Sequence, residues 1–367
     1  MRRTGGALLA AVIIALSPLA VAGAVTSPTW TIRATIGTGT SAINDGDIAV
    51  SGPSDAWTTW TCGPCGSTTP AHANLMDHWN GKKWSAVTLP AALKYPADIV
   101  GMDASASDNL WVFTANGRVS VFNGHHWDTS KLPSWVERKI DGGAPGVATA
   151  VFSAKNVWAF SIDAESHPML AGHFHNGHWH KVQLPMEPEL ADALSPTDIW
   201  LSGLVPGHSG RELARWNGKK WQVIAEPSGP SGTTLVTNGF AASGPSSVEV
   251  MGEAFSKSGT SSELLHWHKH WTHTEVPASV GLVNQLAIDG HGGYWLIATS
   301  GSIDSAHTAF VHRSGGKWHT YPIPAMTGFT SEPGVLASVP GSTAMWSIGY
   351  LVNGSTPERG AIFSYGQ

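Results

Sequence analysis

Short apolar stretches alternate with polar, glycine-containing turns from Trp30 to the end of the chain. The sequence contains 42 glycines and 23 prolines, which divide it into segments that are too short for typical helices. Short segments bounded by turn residues are typical of β-strands. The pattern also repeats along the chain, and this predicts an all-β architecture built from copies of one unit.

Each unit begins with a polar turn that leads into a tryptophan, as in Asp55-Ala56-Trp57. Successive copies lie about 48 residues apart, between the periods of WD40-like and kelch-like propellers. Glu249 stands at this position in the fifth unit, where we favour an altered strand edge over a functional site. The other units carry Trp57, Trp111, Trp158, Trp200, Trp295 and Trp346.

A hairpin tip and a second tryptophan complete the unit. The tip is Asn-Gly, a dipeptide that tolerates the positive φ angles of a type I′ turn. It occurs as Asn80-Gly81, Asn123-Gly124, Asn176-Gly177 and Asn217-Gly218. The tryptophan that opens the next strand recurs as Trp84, Trp127, Trp179, Trp221, Trp271 and Trp318. Each unit therefore predicts four antiparallel strands.

The repeat count predicts a seven-bladed β-propeller. The last unit ends near Tyr365 without its fourth strand, and Trp30–Ile36 has the tryptophan-led alternation of that missing strand. We therefore expect the N-terminal strand to close the last blade, which leaves no exposed sheet edge. A column of mostly small residues predicts the innermost strand, where space is limited. This column is Ala49, Asp103, Ala150, Asp192, Ala241, Ala287 and Ser338.

The first residues are typical of a secretory signal. Arg2 and Arg3 precede an apolar run, and Ala22-Gly23-Ala24 fits a cleavage site. We predict a signal peptide at 1–24 and one propeller domain at 25–367. A second long apolar run is missing from the sequence, so we expect a secreted monomer without a membrane anchor.

The charge of the chain argues against some partners. The formal net charge is −5 and only 13% of residues are charged. Binding to nucleic acid or to anionic lipid requires clustered Lys and Arg, which the sequence lacks. Most of the 18 tryptophans belong to the repeat columns and are assigned to packing between blades. Trp60 and Trp135 remain outside those columns.

The motif His78-Trp79-Asn80-Gly81-Lys82-Lys83-Trp84, together with Asp198-Ile199-Trp200, resembles the repeats of secreted bacterial β-propeller proteins. This group is distantly similar to the kelch and galactose-oxidase propellers. The resemblance spans the chain after the signal segment. It implies the propeller fold and no particular activity.

The two cysteines form the motif Cys62-Gly63-Pro64-Cys65, which is identical to a thioredoxin redox motif. A βαβ context for such a motif is missing here. In an exported protein, two neighbouring cysteines more often form a permanent disulfide. We expect a structural disulfide between Cys62 and Cys65, with a redox role as the alternative.

Histidines concentrate in one hairpin, where a two-residue turn at Asn176-Gly177 would pair His175 with His178 and His173 with His180. Four imidazoles on one face suit zinc, copper or nickel. The alternative is a polar outer hairpin, because sister repeats carry lysine at matching places. We expect no cofactor, with this metal site as the exception.

Propellers bind ligands on the face formed by the second-to-third-strand loops and the links between blades. Aromatic and charged residues on these segments suit a sugar or a protein partner. The leading hypothesis is a non-enzymatic extracellular binding module for a carbohydrate or protein. The alternatives are a secreted hydrolase or lyase with its site at the axial mouth, and a metal-binding scaffold. The candidate binding residues are Trp60, Tyr95, Trp135, Arg138, Glu187 and Arg211.

Overall fold

The computed structural model describes residues 28–37, 42–63, 72–135, 146–162, 169–208, 210–226, 229–257, 259–301, 307–354 and 356–367. Within these ranges the chain forms 28 strands and one short 3₁₀ helix, Ala91–Leu93. The strands make seven sheets of four strands each, with every pair of neighbours antiparallel. The predicted seven-bladed β-propeller is confirmed.

The first four blades follow one another along the chain. Blade 1 contains β2 (Ala42–Gly52), β3 (Asp55–Gly63), β4 (Ala73–Trp79) and β5 (Trp84–Ala86). Blade 2 contains β6 (Ile99–Ala106), β7 (Asn109–Thr114), β8 (Arg118–Phe122) and β9 (Trp127–Lys131). Blade 3 contains β10 (Gly146–Ser153), β11 (Asn156–Ile162), β12 (Leu170–His175) and β13 (His178–Gln183). Blade 4 contains β14 (Glu187–Ser195), β15 (Asp198–Leu204), β16 (Arg211–Trp216) and β17 (Trp221–Ala225).

The last three blades include the closing strand. Blade 5 contains β18 (Thr234–Gly244), β19 (Ser247–Ser256), β20 (Gly259–Trp267) and β21 (Trp271–Glu275). Blade 6 contains β22 (Leu282–Ile288), β23 (Tyr294–Ser300), β24 (His307–Ser314) and β25 (Lys317–Pro322). Blade 7 contains β26 (Thr330–Ser338), β27 (Met345–Asn353), β28 (Thr356–Tyr365) and, on its outer edge, β1 (Trp30–Ile36).

The N-terminal strand closes the ring as predicted. Trp30 pairs with Tyr365 in the register of β1 and β28. The Trp30 ring also stacks on Phe310 of blade 6 with a centroid distance of 3.7 Å and an interplanar angle of 10°. Trp30 is therefore buried between the last two blades, so one strand completes a sheet and an inter-blade contact together.

The first tryptophan column lies in the cores between blades. All six of its members are buried, with at most 4% of their surface exposed. Trp111 of blade 2, for example, packs in one cluster with Val151 and Val157 of blade 3. Because each tryptophan buries on the order of 150–250 Å² of surface, these side chains dominate the packing between sheets.

One detail of the predicted repeat is wrong, and the register of one blade differs from the others. In blade 7, Ala337 rather than Ser338 pairs with Trp346, because the turn between β26 and β27 is longer than in the other blades. Only one Asn-Gly tip has both residues at positive φ, at Asn176 and Gly177. In the other three tips the asparagine side chain accepts backbone N–H bonds instead, in four-residue turns.

Successive strands run in opposite directions, so the second-to-third-strand loops and the inter-blade links share one side of the propeller. We call this side the loop face. The hairpin tips and the first-to-second-strand turns lie on the opposite side, the hairpin face. Among the described residues, no helix has the length and apolar character needed to cross a membrane.

Candidate functional site

Three cavities open on the loop face. One of about 730 Å³ lies between blades 4 and 5, and we call it the blade 4/5 cleft. A second of about 600 Å³ lies between the end of β1, strand β4 and the link after blade 1, and we call it the blade 1 pocket. A third of about 540 Å³ lies between blades 5 and 6. All three volumes fall within the range of small-molecule and peptide sites, ~300–1,000 Å³.

Arg211 bridges the two walls of the blade 4/5 cleft. Its Nε donates a hydrogen bond to Glu189 Oε2 within blade 4. Its Nη1 donates to the backbone carbonyl oxygen of Thr237 in blade 5, at 2.9 Å. These bonds hold the guanidinium in one place, so Arg211, a predicted binding residue, is a fixed positive charge in the cleft.

Glu226 also lines this cleft and is incompletely bonded. Its Oε2 accepts a hydrogen bond from Thr237 Oγ1 at 2.7 Å. Its Oε1 is buried and has no hydrogen-bond partner among the described residues. Burial raises the pKa of Glu226, although the bond from Thr237 and the charge of Arg211 oppose this shift. A ligand donor would find a buried, unpaired acceptor here.

A histidine and a second carboxylate complete the charge of the cleft. Nδ1 of exposed His208 forms a hydrogen bond with Oε1 of Glu212, which is buried. Among the described residues, Glu212 and Glu226 of the cleft and Glu189, which is bonded to Arg211, supply three carboxylates against one arginine. The cleft is therefore acidic and attracts basic groups.

Tyr95 lies at the blade 1 pocket, apart from Arg211. Its ring is 47% exposed and stacks on His72 with a centroid distance of 5.0 Å. The link that carries Tyr95 is held to β4 by Asn74, whose Nδ2 donates to the carbonyl oxygen of Leu93 at 2.9 Å. Tyr95 is thus an exposed aromatic ring on an anchored segment.

The other predicted binding residues do not line these three cavities, and Trp60 instead lines a smaller one of about 220 Å³ between blades 1 and 2. Trp60 lies inside β3 with 1% of its surface exposed, packed where a Cβ on Gly46 or Gly360 would come within about 3 Å of its ring. Trp135 is half-buried, and Lys181 Nζ lies 5.7 Å from its ring centroid. Glu187 begins β14 opposite Leu204, and Arg138 lies outside the described residues.

The histidine hairpin has the predicted pairing, His173 with His180 and His175 with His178. His173 stacks on Trp158 and bonds to Asn156 Oδ1 at 2.9 Å, and burial lowers its pKa to about 4. Within the described part of the chain, no three His, Cys, Asp or Glu side chains are placed to hold a metal ion. The metal site stays a prediction.

Three carboxylates line the central axis, but each is bonded to the frame. Asp103 accepts a 2.7 Å hydrogen bond from the backbone N–H of Ala104 and another, also at 2.7 Å, from Val151 in the next blade. Asp192 is bonded in the same way to Ala193 and to Ala242 of blade 5. Asp47 repeats the arrangement between blades 1 and 2. These carboxylates join the innermost strands of neighbouring blades.

Three further histidines are bonded at or beside the tryptophan column, which the sequence pattern alone did not indicate. His78 stacks on Trp57 and bonds to Asp55 at 2.6 Å. The same contacts recur with His312, Trp295 and Asp289, and His266 bonds to Glu249, which lies within β19. The signal for the first two pairs is a histidine 23 residues after an acid of the polar turn. These pairs link the second and third strands of their blades.

Cys62 is buried near the end of β3, and Cys65 lies outside the described residues. The Cys62–Cys65 disulfide therefore stays a prediction.

No protein-family model matches the sequence, and no curated protein sequence matches it. The chain is similar to solved structures of other propellers. A structure of YCF48 bound to D1 peptide has a TM-score of 0.59 at 10% identity, covering 94% of this chain and 97% of that one. YCF48 from Cyanidioschyzon merolae has a TM-score of 0.55 at 12% identity, covering 92% and 98%.

The extracellular domain of a putative one-component system from B. thetaiotaomicron is also similar. Its TM-score is 0.51 at 12% identity, and the match covers 90% of this chain and 40% of that one. At such identities the likeness shows the β-propeller fold alone. The resemblance to secreted kelch-like repeat proteins stays a prediction.

Proposed function

We propose that the protein is an exported, non-enzymatic binding module whose protein partner inserts a basic side chain into the blade 4/5 cleft. The observation that carries this proposal is Glu226 Oε1, a buried carboxylate oxygen without a partner among the described residues. Leaving a buried charged acceptor unpaired costs free energy, and a donor from a ligand would recover it. A lysine or arginine of the partner supplies both that donor and the charge that this acidic cleft favours.

Apolar side chains beside the cleft support a protein partner. Leu204 and Val236 line the cleft and are exposed, and Phe255 is exposed in blade 5. Protein interfaces combine apolar contact area with a few placed charges. The described residues that line this cleft include no aromatic ring on which a sugar could stack. YCF48, which has a similar fold, has been solved with a bound peptide, so this architecture can carry such a ligand.

Peptide selection tests the proposal. Peptides are selected from a random library on the immobilised protein, and the affinity of each is measured by calorimetry. We expect Lys or Arg to be enriched and Glu226→Gln to weaken binding about tenfold or more, because a hydrogen bond to a charged group is lost. Glu275→Gln, in the cavity between blades 5 and 6, is the matched control and should change affinity less than twofold. Selected peptides without basic residues, or an unchanged affinity of Glu226→Gln, would contradict the proposal.

A secreted hydrolase is the second candidate, and one observation favours it. Glu226 has a raised pKa and shares its cleft with the buried carboxyl of Glu212. A carboxyl whose pKa is raised by burial, beside a second carboxylate, suits acid–base cleavage of a glycosidic bond. Turnover of a polysaccharide panel that is abolished by both Glu226→Gln and Glu212→Gln would favour this candidate.

A further inference from the structure

The blade 1 pocket contains Asp77 of strand β4, a residue that the proposed function does not use. Asp77 is 9% exposed and lines the blade 1 pocket. Its carboxylate has no hydrogen-bond or ion-pair partner in the described part of the chain. Several other carboxylates, such as Asp55 and Asp103, do have bonded partners. Asp77 is therefore a largely buried side chain whose carboxylate lines the pocket and has no protein partner among the described residues.

Sister blades show that the fold does not require an acid at this position. Asp77 pairs with Thr58 of the second strand, and the equivalent third-strand residues are small or apolar. They are Ser120, Gly172, Ala214, Leu265, Val311 and Phe363. Burying an unpaired carboxylate costs free energy. In this repeat, the cost is explained if a ligand uses the carboxylate.

The pocket exists because the outer strand of blade 1 is short. Strand β5 has three residues and pairs with β4 only from Asp77 to Trp79. The first part of β4, before Asp77, has no outer strand beside it. A cavity of about 600 Å³ opens there. Its wall is largely apolar, with Ile36 and Leu89 among the lining residues.

The polar groups at the pocket favour a neutral ligand. Asp77 contributes one negative charge and exposed Lys94 contributes one positive charge. A cation would meet Lys94 and an anion would meet Asp77, whereas hydroxyl groups can donate to the carboxylate and accept from the ammonium. The exposed ring of Tyr95 adds a flat apolar surface beside them.

We propose that the blade 1 pocket binds one neutral sugar residue, with its hydroxyls donating to Asp77 and its ring face packed against Tyr95. Burial alone raises the pKa of Asp77, and no hydrogen bond offsets the shift, as expected for a carboxylate that awaits a donor. This site is separate from the blade 4/5 cleft, so either proposal can fail without the other.

The test titrates the protein with methyl glycosides of glucose, galactose, mannose and N-acetylglucosamine, followed by NMR. At least one glycoside should shift resonances of Tyr95 and His72. Asp77→Asn and Tyr95→Ala should each weaken its binding about tenfold or more. Tyr95→Phe keeps the ring and should retain affinity, and Ser120→Ala, at the equivalent position of blade 2, is the matched control.

Thermal unfolding separates a lost site from a lost fold. Asp77→Asn should unfold at a higher temperature than the wild type at pH 7, because it removes a desolvated charge. Asp77→Ser introduces the blade 2 residue and serves as a second folded variant. Binding of none of the four glycosides, or equal binding by wild type, Asp77→Asn and Tyr95→Ala, would overturn the proposal.

Discussion

The acidic residues fall into two groups by how their oxygens are bonded. Asp103 and Asp289 accept two or more hydrogen bonds each, from backbone N–H groups or from a histidine. Asp77 and one oxygen of Glu226 are buried without such a bond among the described residues. The first group is explained by the fold. The second group destabilises the folded chain, which is why we place ligands there.

Asp103 makes stability depend on pH. Burial raises its pKa to about 7, and the carboxylates of Asp47 and Asp192 add to the shift. Because the folded-state pKa is raised, the contribution of Asp103 to stability is complete below its unfolded pKa of about 3.9 and is lost as pH rises through about 7. The midpoint temperature of the wild type should therefore fall, relative to Asp103→Asn, as pH rises from 5 to 8.

Differential scanning calorimetry across this pH range checks the prediction. The asparagine variant also loses one backbone hydrogen bond, so the informative quantity is how its difference from wild type changes with pH. A difference that stays constant from pH 5 to 8 would mean that Asp103 does not titrate in this range.

At the scale of strands, the closing strand depends on one tryptophan. Trp30 contacts Phe310, Trp295 and Tyr365, so its ring links blades 6 and 7. Trp30→Ala should destabilise the protein by about 3–5 kcal/mol, the usual cost of removing a buried tryptophan. Urea unfolding measures this change, and Thr31→Ala on the exposed side of β1 is the control. A loss below about 1 kcal/mol would show that β1 does not close the ring.

The strands could be predicted from the sequence because their residues repeat seven times. Turns, tryptophans and the closing strand recur at fixed positions, so one unit supports the interpretation of the next. The sites could not be predicted in the same way, since they lie where one repeat differs from the others. Asp77 stands out only when the third strands are aligned in register.

Trp60 is a predicted binding residue that the structure instead buries within a strand. The sequence pattern predicts a loop position for Trp60, outside the tryptophan columns. Strand β3 extends to Gly63, however, and the neighbouring backbone is open at Gly46 and Gly360 to receive the ring. A long-range contact of this kind depends on which strands are neighbours in space, and the local pattern around Trp60 does not contain that information.

For the whole molecule, closure of the ring determines where ligands can bind. The walls of the blade 4/5 cleft come from two blades, and the blade 1 pocket is lined partly by β1. Both sites therefore require a closed propeller. They also lie in different parts of the ring and differ in charge, so one loop face offers an acidic cleft and a neutral pocket.

Hydrogen–deuterium exchange with a selected basic peptide tests the central claim most directly, namely that the partner binds in the acidic cleft of the loop face. We predict slower exchange in the segments 210–216 and 229–237, on the two walls of the cleft, and no change at the hairpin tips 80–83 and 123–126. Glu226→Gln should abolish the protection at the same peptide concentration. Protection confined to the hairpin face, or protection that survives Glu226→Gln unchanged, would contradict this account.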